Sequence, residues 1–272
     1  MRGRSRLTHE DSEDSHIEFS LGQISSWKEN DAVVEIASLC HGRGGIVSYA
    51  HCETLFLLSK TSEYASILSQ MEAVYIDGVG AQLGILLATG VWKSRVTADD
   101  FIRPLAQRCA ERHHAIAFVG GVPGAALRSA RHIADLNIDS IKFCADGYEA
   151  IHDLDGLVDQ LKSRRIKLVV LGLGQPRQEK VALLLRERIP SLTILCVGGL
   201  FEHLRASSYA PRWMRRCGLE WTRRLYAEPR RLGPRYLIHP ARTLAWIARR
   251  WLTVALQHVQ TRSLRSAERS VE

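Results

Sequence analysis

Three short stretches hold side chains able to do chemistry on a polar substrate. The first is AVYIDGVG (73–80), where Asp77 ends an apolar run and is followed by Gly78 and Gly80. A carboxylate at a strand end faces a cleft and can act as general base. Asp is equally suited to cap a following helix. The second is KSRVTADDF (93–101). Arg95 can clamp a diphosphate with two parallel hydrogen bonds, or pair with Asp99 or Asp100 at the surface. Thr97 can cap a helix starting at Ala98 or Asp99. The third is LGLGQPRQEK (171–180), where Gly172 and Gly174 close an apolar run and Gln175 follows. Bare backbone at those glycines lets a ligand come close. Pro176 suits a first helical turn. Gln178 can hydrogen-bond a base or sugar edge, and Glu179 suits the positive end of a helix dipole.

Six apolar runs rich in β-branched residues position these stretches: 45–50, 73–78, 115–121, 140–147, 167–174 and 192–199. Segments of helical period lie between them, such as ETLFLLSKTSEYASILSQM and VPGAALRSARHIADL. This alternation predicts an α/β fold: a Rossmann-like, largely parallel sheet with helices on both faces. Five runs finish in glycine: Asp77-Gly78, Gly120-Gly121, Asp146-Gly147, Gly172-x-Gly174 and Gly198-Gly199. Ligands of such sheets bind outside the carboxyl ends of the strands, so the pattern points to a nucleotide or sugar-phosphate site. Gly120, Gly121 and Gly124 are spaced G-G-x-x-G, which does not fit a dinucleotide fingerprint, and there is no P-loop. The Asp153-Leu154-Asp155 pair precedes an amphipathic helix and reads as a helix cap, so no metal is expected there. The eleven histidines show no paired ligand spacing.

Charge divides the chain. Residues 203–272 carry fifteen arginines, no lysine and four glutamates, whereas residues 1–202 hold 22 basic and 25 acidic side chains. A basic tail on a slightly acidic body implies an anionic partner. In ARTLAWIARRWLTVALQHV (241–259), Leu244, Ile247, Ala248, Trp251, Leu252, Ala255 and Val259 share one helical stripe, with Arg242, Arg249 and Arg250 largely off it. That pattern fits a helix in a membrane interface. Packing on the protein body is the alternative for the stripe, and nucleic acid the alternative for the arginines. The expected organisation is a disordered leader over 1–30, an α/β domain over 31–204, and a basic, amphipathic, helical C-terminal appendage over 205–272. The six cysteines form no C-x-x-C pair and read as reduced, buried thiols of a cytosolic protein.

The order DGVG, SRVTADD, FVGGVPG, ADGY, LGLGQPRQEK, VGGLFEHL and APRWMRRCGLEWTRRLYAEPRR resembles the WecG/TagA/CpsF glycosyltransferases, glycosyltransferase family 26, from about residue 30 to 236. The resemblance implies an inverting, metal-independent enzyme without cofactors. Such enzymes move a sugar from a UDP-sugar to a polyprenyl-diphosphate-linked acceptor, for cell-surface polysaccharide, as peripheral proteins on the cytoplasmic face of the membrane. It matches Asp77 to the general base, Arg95 to the donor diphosphate and Gln178 to the nucleotide-sugar. Arg224, Arg230 and Arg231 match arginines that approach the lipid diphosphate. Nucleic acid is not an expected partner, and a homo-oligomer is left open. Tyr49 and His51 stand where the family has Thr and Asn against the sugar, Glu202 stands for Asp, and Ala98 for Gly. Those departures leave the donor sugar open. The rival class is an α/β nucleotide- or nucleic-acid-binding protein without transfer activity.

Overall fold

The computed structural model describes residues 24–134, 140–205, 214, 219–227, 229–233, 241–245 and 247–248. Strands β1 (Gly45–Ala50), β2 (Ala73–Ile76), β3 (Ala115–Gly120), β4 (Ile141–Ala145), β5 (Ile166–Gly172) and β6 (Thr193–Cys196) form one sheet in the order β2-β1-β6-β5-β3-β4. Every pairing is parallel. All carboxyl ends therefore share one rim. The strands are apolar on both sides because helices cover both faces.

Alternate strand residues sort the core into two layers. Val47, Tyr49, Tyr75, Phe118, Val170 and Leu195 pack under α1 (Glu29–His41), α5 (Ala98–Glu111), α6 (Ala125–Ala134) and α10 (Leu200–Arg205). Ile46, Val119, Val169 and Ile194 face α8 (Leu154–Ser163) and α9 (Arg177–Arg188). On that same face, Ala50, Val74 and Ile76 meet α2 (Cys52–Leu58), α3 (Ser62–Leu68) and α4 (Val79–Thr89). Helix α7 (Gly147–His152) is a short turn after β4.

Local chemistry sets the boundaries. Asp100 accepts from both the N–H and the hydroxyl of Thr97, at 3.2 and 2.8 Å, which starts α5 at Ala98. Asp153 accepts from the Gly156 N–H at 2.8 Å and caps α8, the role expected of that residue. Gly90, at φ 71°, ends α4.

Residues 24–30, inside the expected leader, belong to the packed chain. Ile24 is buried, Ser25 donates to the Val74 carbonyl at 2.8 Å, and α1 starts at Glu29. In the appendage, α11 (Glu220–Ala227) and α12 (Pro229–Gly233) are helical, as are residues 241–245 and 247–248. The apolar stripe divides there. Thr243 and Ile247 are buried, whereas Leu244 is 48% exposed. Trp251, Leu252, Ala255 and Val259 lie outside the described residues. Among the described residues the thiols form no disulfide and are not uniformly buried: Cys40, Cys109 and Cys196 are enclosed, while Cys52 and Cys144 are partly open.

Candidate active site

The site is assembled where β2, β1, β6 and β5 leave the sheet. At the β2 exit the Asp77 N–H donates to the Ala50 carbonyl at 2.9 Å, and the Val96 N–H donates to the Ile76 carbonyl at 2.9 Å. The segment carrying Arg95 is thus laid along the end of β2. Asp77 follows the acceptor residue, and Arg95 precedes the donor. Both side chains are half-buried. Gln82 of α4 holds the same segment by donating its Nε2 to the Lys93 carbonyl at 2.8 Å. Ser26 accepts from the Ser94 N–H at 2.8 Å.

Gly78 (φ 89°) opens α4, and a methyl group there would lie 3.5 Å from the His51 ring. His51 precedes α2, and its N–H donates to Thr54 Oγ1 at 2.9 Å. Thr54 donates to Gln175 Oε1 at 2.9 Å, and Gln175 Nε2 donates to the Tyr49 carbonyl at 2.8 Å. Gln175, whose bond to Pro176 is cis, therefore ties the β5–α9 turn to the end of β1. Asp77, Gly78, His51 and Gln175 thus share one rim, with Thr54 linking His51 to Gln175.

Beneath that surface runs a buried polar chain. Gln178 Oε1 accepts from the Gly198 N–H at 3.0 Å, and Gln178 Nε2 donates to Glu179 Oε1 at 2.8 Å. Glu179 Oε1 also accepts from Ser48 Oγ at 2.8 Å. All three side chains are fully buried. Burial holds the Glu179 carboxyl above the ordinary carboxylate range, against the lowering effect of its hydrogen bonds to Gln178 and Ser48. Both ends of the Gln178 amide are taken up inside the protein. Its Oε1 holds the Gly198 backbone at the end of β6.

The glycines have two different uses. Gly174, at φ 76°, has open space where a side chain would be. Gly120, Gly121 and Gly172 are instead used by the protein against itself. A methyl group on Gly120 would sit 2.2 Å from the Gly172 carbonyl oxygen, and one on Gly172 would sit 2.8 Å from the Gly198 carbonyl. The Gly121 N–H donates to the Gly172 carbonyl at 3.0 Å. Gly80 accommodates Cys52 Sγ, 2.4 Å from where a methyl would stand. Tyr49 is buried, and its hydroxyl lies under Gly198, 2.2 Å from a methyl placed there. Thr97 is likewise buried at its cap. Glu202, near the start of α10, faces Gly121 with Oε1 3.0 Å from a methyl there.

Arg230 is exposed on α12; Arg224 and Arg231 fall on helices, and their side chains lie outside the described residues. Ser48, Thr54 and Gln82 were not singled out from the sequence. Ser48 carried a usable signal: a hydroxyl in the otherwise apolar run GIVSYA must find a buried partner.

A half-buried carboxylate beside a guanidinium-bearing segment, with open backbone at Gly174 and the start of α4 at Gly78, suits proton abstraction next to a phosphorylated group. The chain is 26% identical over 189 residues to the N-acetylglucosaminyldiphosphoundecaprenol N-acetyl-beta-D-mannosaminyltransferase of Bacillus subtilis (strain 168), covering 68% of this chain and 73% of that one. It is 24% identical over 225 residues to the protein of the same name from Bacillus spizizenii (strain ATCC 23059 / NRRL B-14472 / W23), covering 80% and 83%. The glycosyl transferase WecG/TagA/CpsF family matches residues 19–256. That span takes in the entire sheet and its rim, so the chain belongs to the WecG/TagA/CpsF family of glycosyltransferases.

Proposed function

We propose that this glycosyltransferase is inverting and metal-independent, and that it moves a sugar from a UDP-sugar to a polyprenyl-diphosphate-linked sugar. It works as a peripheral protein on the inner face of the cell membrane. The observation that carries the reading is the common anchor of Asp77 and Arg95: one hydrogen bond, Val96 N–H to Ile76 carbonyl, fixes where both leave the backbone. The acceptor class rests on the two Bacillus relatives, which are named for a sugar-diphosphoundecaprenol acceptor. Among the described residues no helix is long and apolar enough to cross a membrane. The exposed Leu244 and the arginines of the appendage supply the membrane contact in this reading.

Asp77 removes the proton from the acceptor hydroxyl as that oxygen bonds to the anomeric carbon. The bond from that carbon to the diphosphate breaks on the opposite side, so an α-donor gives a β-product and UDP departs as the anion. Arg95 and rim N–H groups stabilise the departing charge. Gln178 acts at one remove by holding Gly198, and the departures at Tyr49 and His51 bear on which sugar fits. The test is a panel of UDP-sugars with a short-chain prenyl-diphosphate sugar, read by mass without added divalent ion. One donor should be consumed with release of UDP, and Asp77→Asn should retain UDP binding while losing ~10²–10⁴-fold in rate. Turnover by Asp77→Asn close to wild type would remove Asp77 from the role. Salt-sensitive oligonucleotide binding with no UDP release from any donor would replace the proposal with its non-enzymatic rival.

A further inference from the structure

The rim opposite the transferase cleft holds a side-chain cluster that the transfer reaction does not use. Cys40 lies in the last turn of α1, Cys109 in the last turns of α5, and His114 immediately before β3. One ligand atom from each lies within 4.8 Å of the other two. Both cysteines are 1% exposed, and His114 is half-buried.

The local chain is shaped to hold His114 there. Its N–H donates to the Cys109 carbonyl at 2.9 Å, and the His113 N–H donates to the Ala110 carbonyl at 3.0 Å. That turn puts His113 at φ 55°, a left-handed conformation that costs a non-glycine residue roughly 1–2 kcal/mol. The His114 Nδ1 atom is buried and makes no hydrogen bond among the described residues. A buried ring nitrogen without a partner is costly, and a metal ion would satisfy it. Two sulfurs and an imidazole nitrogen are soft to borderline donors, the set that selects Zn²⁺ or Cu⁺ over Mg²⁺ or Ca²⁺. Around tetrahedral zinc, with bonds of about 2.0–2.3 Å, ligand atoms stand roughly 3.5–3.8 Å apart, so closing by about an ångström completes the site.

We propose that Cys40, Cys109 and His114 form a structural soft-metal site, zinc by preference, with water or the neighbouring His41 in the fourth position. The His41 ring stacks on His114 at 6.2 Å, within reach of a side-chain adjustment. The ion pins the far ends of α1 and α5 to the head of β3. Helix α5 starts at Ala98, three residues after Arg95, so fixing its other end fixes the segment that presents the guanidinium.

The test uses untagged full-length protein, loaded with Zn²⁺ or Co²⁺ and then dialysed. Wild type should keep about one ion per chain, and the Co²⁺ form should show thiolate-to-metal absorption in the near ultraviolet with tetrahedral visible bands. Cys40→Ser and Cys109→Ser should lose the thiolate band. His114→Gln, at a partly exposed position the fold should tolerate, should weaken Zn²⁺ binding at least ~10-fold, in line with loss of one ligand from the shell. Cys144→Ser should change none of these. Absence of the thiolate band in wild type, or equal ion retention by wild type and His114→Gln, overturns the proposal. Recovery of wild type with a Cys40–Cys109 disulfide and no bound ion under reducing, zinc-replete conditions does so as well.

Discussion

Gln178 accepts a hydrogen bond from the backbone N–H of Gly198 at 3.0 Å, although the two belong to different strand exits, β5 and β6. Gly198 is held at φ 55°. Its carbonyl lies against Gly172, and the Tyr49 hydroxyl lies beneath it. One fully buried amide thus fixes the backbone between two strand ends that border the Gly174 opening. The same amide continues through Glu179 to Ser48 in the middle of β1, so three strands register on a single polar chain.

Gly198→Ala should destabilise the protein strongly, because the new methyl meets the Tyr49 hydroxyl at 2.2 Å and the backbone is left-handed. Overpacking of this kind costs about 1–3 kcal/mol, with the conformational penalty added. Tyr49→Phe removes the hydroxyl, but Cζ remains 3.1 Å from that methyl. The double variant should therefore recover part of the loss and not all of it. Urea denaturation of both single variants and the pair gives the coupling energy directly. Strict additivity would mean that the Tyr49 hydroxyl does not oppose a side chain at 198.

Glu179 makes stability depend on pH in a definite direction. Its carboxyl titrates higher folded than unfolded because burial disfavours the charge. The folded state then holds the extra proton between the two values. Stability from this group is complete below the unfolded carboxyl value and is lost as pH rises through the folded one, by at most about 1.4 kcal/mol per pH unit in between. Glu179→Gln can keep its Oε1 bonds to Ser48 and Gln178 and cannot ionise. Relative to wild type it should gain stability as pH rises above the unfolded carboxyl value and level off once pH passes the folded one. Denaturation midpoints at four or five pH values measure that difference, and a difference constant with pH would place the titrating group elsewhere.

The six strands were legible because a parallel sheet covered on both faces has to be written in apolar runs, and five of those runs end in glycine. The segment after β1 carried one helical period but folds as two helices, broken at Ser59, Lys60 and Thr61. A glycine beside open space and a glycine against another strand are the same letter, so Gly174 could not be told from Gly120 or Gly172 before their neighbours were known. Ser48 announced a need for a partner, but the partner lies 131 residues away. Cys40, Cys109 and His114 have no ligand spacing in the chain; helix packing alone brings them together.

Arg95 should act on the donor more than on the fold. Its segment is held by the Val96, Gln82 and Ser94 hydrogen bonds, none of which uses its side chain. Arg95→Ala should therefore keep those bonds and the fold, and lower kcat/KM for the UDP-sugar by ~10²–10³-fold, the scale for losing a donor to developing charge. Arg95→Lys should recover only part, because an ammonium cannot reproduce the bidentate fork. Equal losses in melting temperature and rate would make Arg95 a structural residue.

Leu244 and Ile247 separate the two readings of the apolar stripe. Ile247 is 5% exposed and Leu244 48% exposed, within one turn of each other. Ile247→Glu buries a charge and should destabilise the chain by about 3 kcal/mol or more. Leu244→Glu places the charge at the surface and should change stability by no more than about 0.5 kcal/mol. If Leu244 enters the headgroup region, that substitution forfeits the burial of one leucine, about 1.5–3 kcal/mol, and weakens partitioning to anionic vesicles by roughly 10–100-fold. Sedimentation with vesicles alongside thermal melts of both variants measures the two effects separately. Vesicle binding by Leu244→Glu equal to wild type would move the membrane contact off this face of the helix.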